Sequence, residues 1–155
     1  MTDEKRSGLV PFDLHIHDLD FLVSVLGAPQ SVKTARAKRP DQDSLSALYE
    51  YDGAFTSAES AWYAPKVPFA ATFRFQFEKA AVIFDGQKLT AYEIDGATRD
   101  LSAGGQEESG VIHFPKTDAY ADEIAYFADC VANSKPVDKI KPEELKTVLD
   151  ILKAF

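Results

Sequence analysis

One segment near the start of the sequence, residues 11–20, holds the densest group of ionisable side chains. It reads PFDLHIHDLD and contains His15 and His17, two of the three histidines of the chain, together with three aspartates. Imidazole titrates near neutral pH, and carboxylates can orient an imidazole or bind a metal ion. The segment could therefore transfer protons or hold a metal. Its conformation decides which, because a strand and a helix place different side chains on one face.

A strand would point His15 and His17 to the same side as a possible metal pair. That arrangement resembles the His-x-His at the first strand of amidohydrolase-type metal enzymes and would imply a metal-dependent hydrolase. Those enzymes take their remaining ligands from later strands of a barrel of about 250 residues. This chain has 155 residues and only His113 further along. The alternative therefore lacks ligands, and we expect no metal.

A helix, at about 100° per residue, places Asp13, His17 and Asp20 within roughly 60° of one another and turns the other histidine to nearly the opposite side. A histidine between two carboxylates suits general acid–base catalysis, because the ordinary histidine pKa of about 6.5 lies near working pH and a carboxylate stabilises the imidazolium. The same spacing also fits a structural interpretation. In that case Asp13 caps the helix and His17 is a hydrogen-bonded, partly buried side chain.

The residues that follow favour the helix. Apolar side chains recur at helical spacing, and Gly27 followed by Pro29 supplies a stop. The pattern predicts one mostly buried helix from Asp13 to Leu26. Its apolar residues are Ile16, Leu19, Leu22, Val23 and Leu26.

The middle of the chain alternates apolar and polar side chains with the period of a β-strand. The alternation is clearest at residues 45–51 and 69–77. Asp-Gly pairs at 52/53, 85/86 and 95/96 separate the runs, and that dipeptide favours the positive φ angles of tight hairpin turns. The pattern predicts antiparallel neighbours in a meandering sheet.

Helical spacing returns towards the carboxyl end. A helix capped by Thr117 or Asp118 should end before Pro136, and Pro142 opens a final helix. One more short strand is expected at residues 111–114. The order of one helix, a run of strands and two helices indicates an α+β fold, with helices packed on one face of an open, mostly antiparallel sheet.

Length and composition exclude several classes of protein. A chain of 155 residues is expected to form a single domain. Its 17 Lys and Arg against 25 Asp and Glu give a net charge of −8, so no basic field is present to bind nucleic acid. The longest uncharged run, Phe21 to Val32, is too short for a membrane helix. A single cysteine, Cys130, and no secretion signal fit a cytoplasmic, reducing compartment.

Both faces of the predicted sheet carry apolar side chains, since Phe, Tyr, Trp and Ala occupy odd and even positions alike in residues 61–64 and 80–84. Helices from a chain this short can cover only one face, and the other would expose a large apolar patch. We therefore expect a homodimer that pairs sheet against sheet. The alternative is a strongly curled sheet that closes on itself.

Two stretches of the chain together resemble a known family. The first is Ser-Gly-x-x-x-x-Asp13-Leu-His-Ile-His17-Asp-Leu-Asp20, followed by Leu26-Gly-Ala-Pro. The second is Tyr120-x-x-Glu-Ile-x-x-Phe-x-x-x-Val131, a loop with Pro136, and a closing helix that begins Pro-Glu-Glu. Both resemble the C-terminal domain of the glucose-fructose oxidoreductase, inositol dehydrogenase and MocA (Gfo/Idh/MocA) family. The matches bracket nearly the whole chain.

The resemblance implies the second half of a two-domain dehydrogenase that acts on a sugar, polyol or related hydroxy compound. NAD or NADP would be bound mainly by the first domain, since this chain has no Gly-x-Gly-x-x-Gly before a helix. We expect no cofactor on this chain alone, which would be inactive without that domain. The other interpretation is a freestanding dimeric domain that binds a ligand or a partner, with a structural His17.

The resemblance also implies roles for individual residues. His17 would be the acid or base that exchanges a proton with the substrate while hydride moves to or from the nicotinamide, and Asp13 would orient and tune it. Asp20, on the same face, would hydrogen-bond a substrate hydroxyl. His15, where the family usually has a small residue, would line a specificity pocket or pack beneath the helix. Tyr120 would reach the substrate or belong to the core.

Overall fold

Helices and antiparallel strands form two compact units of the chain. The computed structural model describes residues 8–63, 65–102, 119–139 and 141–155. The first unit is Met1–Val67 with Val137–Phe155, and the second is Pro68–Pro136. The α-helices are α1, Ile16–Leu26, α2, Ala119–Ala132, and α3, Pro142–Leu152. This content confirms the α+β class predicted from the order of the elements.

The first unit begins with a π-helical turn, Pro11–His15, that continues directly into α1. Proline suits the start of a helix because its fixed φ angle is already helical and its missing N–H would have no partner there. Gly27 ends α1 with φ of 79°, a left-handed conformation that glycine adopts without strain. The predicted helix is confirmed, but it starts before Asp13 and its first turn is wider than an α-turn.

Three long strands follow in the first unit. They are β1, Ser31–Arg39, β2, Gln42–Tyr51, and β3, Ala54–Trp62. They pair antiparallel in the order β1-β2-β3, and the register sets Leu45 opposite Ser60. Gly53, with φ of 71°, lies in the turn between β2 and β3, as its Asp-Gly pair predicts.

The core of the first unit lies between this sheet and the helices α1 and α3. Side chains along β2 alternate between buried and half-buried, which is the pattern of a strand covered on one face. The core consists of Leu19, Leu22, Val23, Ala47, Tyr49, Val148 and Leu152. Full burial of a large apolar side chain is worth roughly 1.5–3 kcal/mol. This core therefore holds α1, and the segment that leads into it, against the sheet.

Among its described residues, the second unit contains α2 and four shorter strands. These are β4, Phe73–Gln76, β5, Ala80–Phe84, β6, Leu89–Glu93, and β7, Thr98–Asp100. They pair antiparallel in sequence order. Gly86 and Gly96, with φ of 99° and 87°, lie in the turns between β5 and β6 and between β6 and β7. Both Asp-Gly turns predicted here are therefore confirmed.

The described strands form two sheets, of three and four strands, where the sequence pattern suggested one meander. Pro65 and Pro68 lie between β3 and β4, and proline has no N–H to donate to a strand ladder. The strand predicted over residues 69–77 is correspondingly shorter. Phe69 lies before β4 and is 60% exposed. Phe77 lies after β4, and its N–H donates to the carbonyl of Ala80.

The two carboxyl-terminal helices agree with the sequence pattern. Helix α2 ends before Pro136 and α3 opens at Pro142, as predicted. The expected caps Thr117 and Asp118, and the strand expected at 111–114, lie outside the described residues. Within the described ranges, none of the helices combines the length and apolar character needed to cross a membrane.

Candidate functional site

A buried histidine joins the π-helical turn to the sheet of the first unit. His15 has no exposed surface. Its Nδ1 lies 2.8 Å from Ser60 Oγ on β3, and its Nε2 lies 2.6 Å from Tyr49 Oη on β2. The imidazole also lies 5.5 Å from the ring of Phe155, measured between centroids. Because both ring nitrogens are bonded to different strands, the imidazole is held in one orientation.

The hydrogen bonds around this ring form a chain with one direction. Ser60 Oγ also lies 2.6 Å from Asp18 Oδ2. An ionised carboxylate can only accept, so the hydroxyl hydrogen of Ser60 goes to Asp18, and the Ser60 oxygen accepts from Nδ1–H of His15. Nε2 of a neutral ring is then an acceptor for the Tyr49 hydroxyl. The donors thus run from Tyr49 through His15 and Ser60 to Asp18, and both ring nitrogens of His15 are hydrogen-bonded.

The electrostatics of the site agree with this order. Burial lowers the pKa of His15 below its usual 6.5, and the Asp18 carboxylate, 3.6 Å from Nδ1, opposes part of that shift. Burial also raises the pKa of Tyr49 above its usual 10, with smaller contributions from Asp18 and Tyr51. At neutral pH the core therefore holds a neutral imidazole and a protonated phenol.

Asp18 connects this network to the surface. Its side chain is 44% exposed, whereas His15 is fully buried three residues earlier. The network therefore runs from the core of the first unit to solvent along the first turn of α1. One carboxylate oxygen of Asp18 is bonded to Ser60, so Asp18 belongs to the network. The sequence pattern had not assigned a role to this residue.

A second group of polar contacts holds the chain just before the π-helical turn. The Val10 N–H donates to Asp43 Oδ2 over 3.1 Å. The guanidinium of Arg36 donates to both oxygens of the same carboxylate, over 2.9 and 2.6 Å, and these bonds hold the pKa of Asp43 below its usual 3.8. Arg36 also donates to the backbone oxygen of Phe155 over 3.3 Å. Residues 10 and 155 are thereby attached to strands β1 and β2.

The predicted acid–base residues lie on the outer side of the same segment. His17 and Asp20 are exposed, and Asp13 is half-buried. In the part of the chain that the structure describes, these three side chains form no hydrogen bond or ion pair with one another. Their roles in catalysis and substrate binding stay predictions.

The other predicted site residues lie on α2 and at the end of the π-helical turn. Tyr120 lies on α2 of the second unit and is 78% exposed, and its role in substrate binding stays a prediction. The helical conformation confirms that His15 and His17 do not form a strand pair, since the first is buried and the second is exposed. No group of three or more His, Cys, Asp or Glu side chains among the described residues is placed to hold a metal ion.

The sequence pattern missed the three partners of His15. The alternation along β2 predicts an inward Tyr49, and a buried tyrosine hydroxyl needs a hydrogen-bond partner, which was the available signal. Ser60 gave none, because its position beside the imidazole depends on the register between β2 and β3. Asp18 was visible as one of the clustered acids, but its pairing depends on where Ser60 lies.

Comparison with known proteins gives one informative match. No protein-family model matches the sequence, and no curated protein sequence matches it. The fold, however, is found in an oxidoreductase of known structure. This is the biliverdin reductase of Synechocystis sp. PCC 6803, in complex with biliverdin and NADP+, to which the chain is 12% identical with a TM-score of 0.72. The match covers 95% of this chain and 45% of the reductase, so the chain spans less than half the length of that protein. At this identity the likeness shows the fold.

Proposed function

We propose that this chain is the substrate-side domain of a two-domain, NAD(P)-dependent oxidoreductase similar to the Gfo/Idh/MocA family. The observation that carries the proposal is the fold match, in which 95% of this chain corresponds to 45% of a reductase that binds NADP+. The proposed substrate is a small sugar, polyol or related hydroxy compound. NAD or NADP would bind mainly to a separate dinucleotide-binding domain and supply hydride transfer.

In the proposed reaction, His17 exchanges a proton with the substrate hydroxyl or carbonyl oxygen. Asp13, four residues earlier, orients the imidazole and stabilises its charged form. Asp20 hydrogen-bonds a hydroxyl of the substrate. The exposure of His17 supports this role, because an acid–base group must reach its substrate. The buried core beneath α1 supports it too, since it gives the group a rigid base.

We further propose that the chain forms a homodimer through a sheet. The second unit supports this, because all five residues of the apolar strand β5 are only half-buried. Sedimentation velocity at micromolar concentration should show a dimer. A monomer at that concentration would contradict this part of the proposal while leaving the catalytic part untouched.

The first test of the enzymatic proposal is genetic. We expect the coding region upstream of Met1 to encode, in frame, a strand–turn–helix with Gly-x-Gly-x-x-Gly. A stop codon directly before Met1, with no dinucleotide-binding frame nearby, would favour the freestanding ligand-binding domain instead.

The second test is the activity of the longer protein, meaning this chain together with the proposed dinucleotide-binding domain. Oxidation of NADPH or NADH, followed by absorbance, is measured with a panel of keto sugars and polyol-derived ketones, and with biliverdin as a further probe. We expect His17→Ala to lower kcat about 100-fold or more, the scale for loss of a general acid or base, while cofactor affinity is unchanged. Asp41→Asn, at an exposed position before β2, is the matched control and should keep full turnover. Undiminished turnover in His17→Ala would remove this histidine from the chemistry.

A further inference from the structure

We propose that His15 is a positioning residue, which fixes the π-helical turn on the sheet through Tyr49, Ser60 and Asp18 and so sets the direction in which Asp13 and His17 face. This inference rests on the proposed function for the meaning of those two residues. The anchoring itself can be tested without any enzymatic activity.

The position of His15 in the chain gives it this influence. It is the last residue of the π-helical turn, two residues after Asp13 and two before His17. A π-helical turn is wider than an α-turn, so it changes which side chains share a face of the helix. Whatever holds His15 inward therefore determines how the residues on either side of it face solvent.

The contacts of His15 are directional, and this separates it from an ordinary core residue. A phenylalanine could fill the space beside Tyr49 and Phe155, but apolar contacts tolerate rotation and sliding. The imidazole instead bonds Ser60 on β3 and Tyr49 on β2 at fixed angles, over 2.8 and 2.6 Å. Two bonds to two strands leave one orientation for the backbone that carries the ring.

The other end of the turn is held independently. The N–H of Val10 is bonded to Asp43, and that carboxylate is held by Arg36. Conversion of the π-helical turn into an α-turn would shift residues at one end relative to the other. It would therefore break either the Val10 bond or the His15 bonds. The wide turn persists because both ends are attached to the same sheet.

The test uses NMR spectroscopy of this chain and the variant His15→Phe, which keeps an aromatic ring but removes both hydrogen bonds. We expect amide shift changes concentrated in residues 10–18, and amide exchange there about 10-fold faster or more relative to α3, the scale for loss of buried hydrogen bonds. The imidazole Cε1–Hε1 cross-peak of His17 should move at constant pH. Val148→Ala, which weakens the same core but removes none of the network's hydrogen bonds, is the matched control and should leave that cross-peak in place.

Three further variants keep the inference falsifiable if His15→Phe does not fold. Tyr49→Phe and Ser60→Ala each remove one partner and should move the same signals by less. His15→Asn keeps an amide N–H near the position of Nδ1 and should restore part of the Ser60 interaction. Unchanged signals from residues 10–18 and His17 in these variants would overturn the inference. Equal changes in Val148→Ala would also overturn it.

The two proposals fail in different ways. If the signals move as expected but His17→Ala keeps full turnover in the longer enzyme, the positioning role stands and the acid–base assignment is lost. If both hold, His15→Asn should lower kcat of the longer enzyme with little change in the KM for the nicotinamide cofactor, since the residue does not touch the cofactor in the proposed arrangement.

Discussion

The two units of this chain differ in how they bury their apolar side chains. In the first, α1 and α3 cover one face of the sheet and enclose a continuous core. Among the described residues of the second, the buried apolar side chains are those of Ala91 and Cys130. A hydrogen-bond network such as that of His15 gains its orientation from a surrounding core that excludes water. The difference explains why the first unit can hold a candidate site rigidly.

Helix α2 illustrates how the second unit leaves apolar side chains exposed. Its sequence has the apolar period of a helix that packs against a partner, and the helix forms as predicted. Its apolar side chains are nevertheless exposed, at Tyr120, Ile124, Phe127 and Val131. A correct helical period therefore predicts the helix and its apolar face, but it does not identify the surface that covers that face.

The sharpest way to test this comparison is to truncate apolar side chains in both units. Leu152→Ala, in the core of the first unit, should lower the free energy of unfolding by about 2–5 kcal/mol, the usual loss for a buried leucine. Phe127→Ala, at a 58% exposed position of α2, should change it by about 0.5 kcal/mol or less. Urea denaturation measures both. Leu149→Ala, an exposed position on the same helix as Leu152, controls for helix propensity, and equal losses in the two units would contradict the comparison.

A smaller effect is expected from removal of single hydroxyl groups. Tyr49→Phe leaves the buried Nε2 of His15 without its donor and should lower the free energy of unfolding by about 1–3 kcal/mol. Tyr92→Phe, on β6 of the second unit, removes a hydroxyl from a side chain that is 49% exposed and should have little effect. Denaturation midpoints of the two variants check this. An unchanged free energy of unfolding in Tyr49→Phe would show that the hydrogen bond between Tyr49 and His15 adds no stability.

The smallest expected effect is a dependence of stability on pH. The pKa of His15 is lower in the folded protein than in the unfolded chain, so the unfolded state binds more protons once the pH falls below about 6.5. The contribution of the neutral imidazole to the free energy of unfolding is therefore fully present above that pH and is lost progressively as the pH falls. Asp18 faces the ring from α1 and opposes the loss, while Tyr49 faces it from β2 and stays protonated.

Thermal unfolding between pH 7 and pH 5 measures this dependence. The slope should be smaller in His15→Asn, which has no titratable ring at that position, than in the parent protein. The variant His17→Asn is the matched control, because it removes an exposed imidazole from the same segment. A slope that is unchanged in His15→Asn but lost in His17→Asn would contradict the assignment to the buried ring.

Local signals were sufficient wherever a feature depends on neighbouring residues. The three Asp-Gly turns follow from the ability of glycine to adopt positive φ, and all three form. Gly27 stops α1, and Pro142 opens α3, for equally local reasons. The candidate site was predictable to the extent that residues 11–20 form a helix over a sheet.

The sequence alone therefore determined the elements, their turns and the segment that carries the ionisable side chains, because backbone propensities and side-chain periods act over a few residues. The tertiary structure decided the width of the first helical turn and the partners that fix His15 in the core. Those partners are Ser60 and Tyr49, which the strand register brings to His15 from 45 and 34 residues away along the chain. A helical period assumes an ideal α-turn, and the contacts that stabilise a wider one come from strands that no local pattern can place.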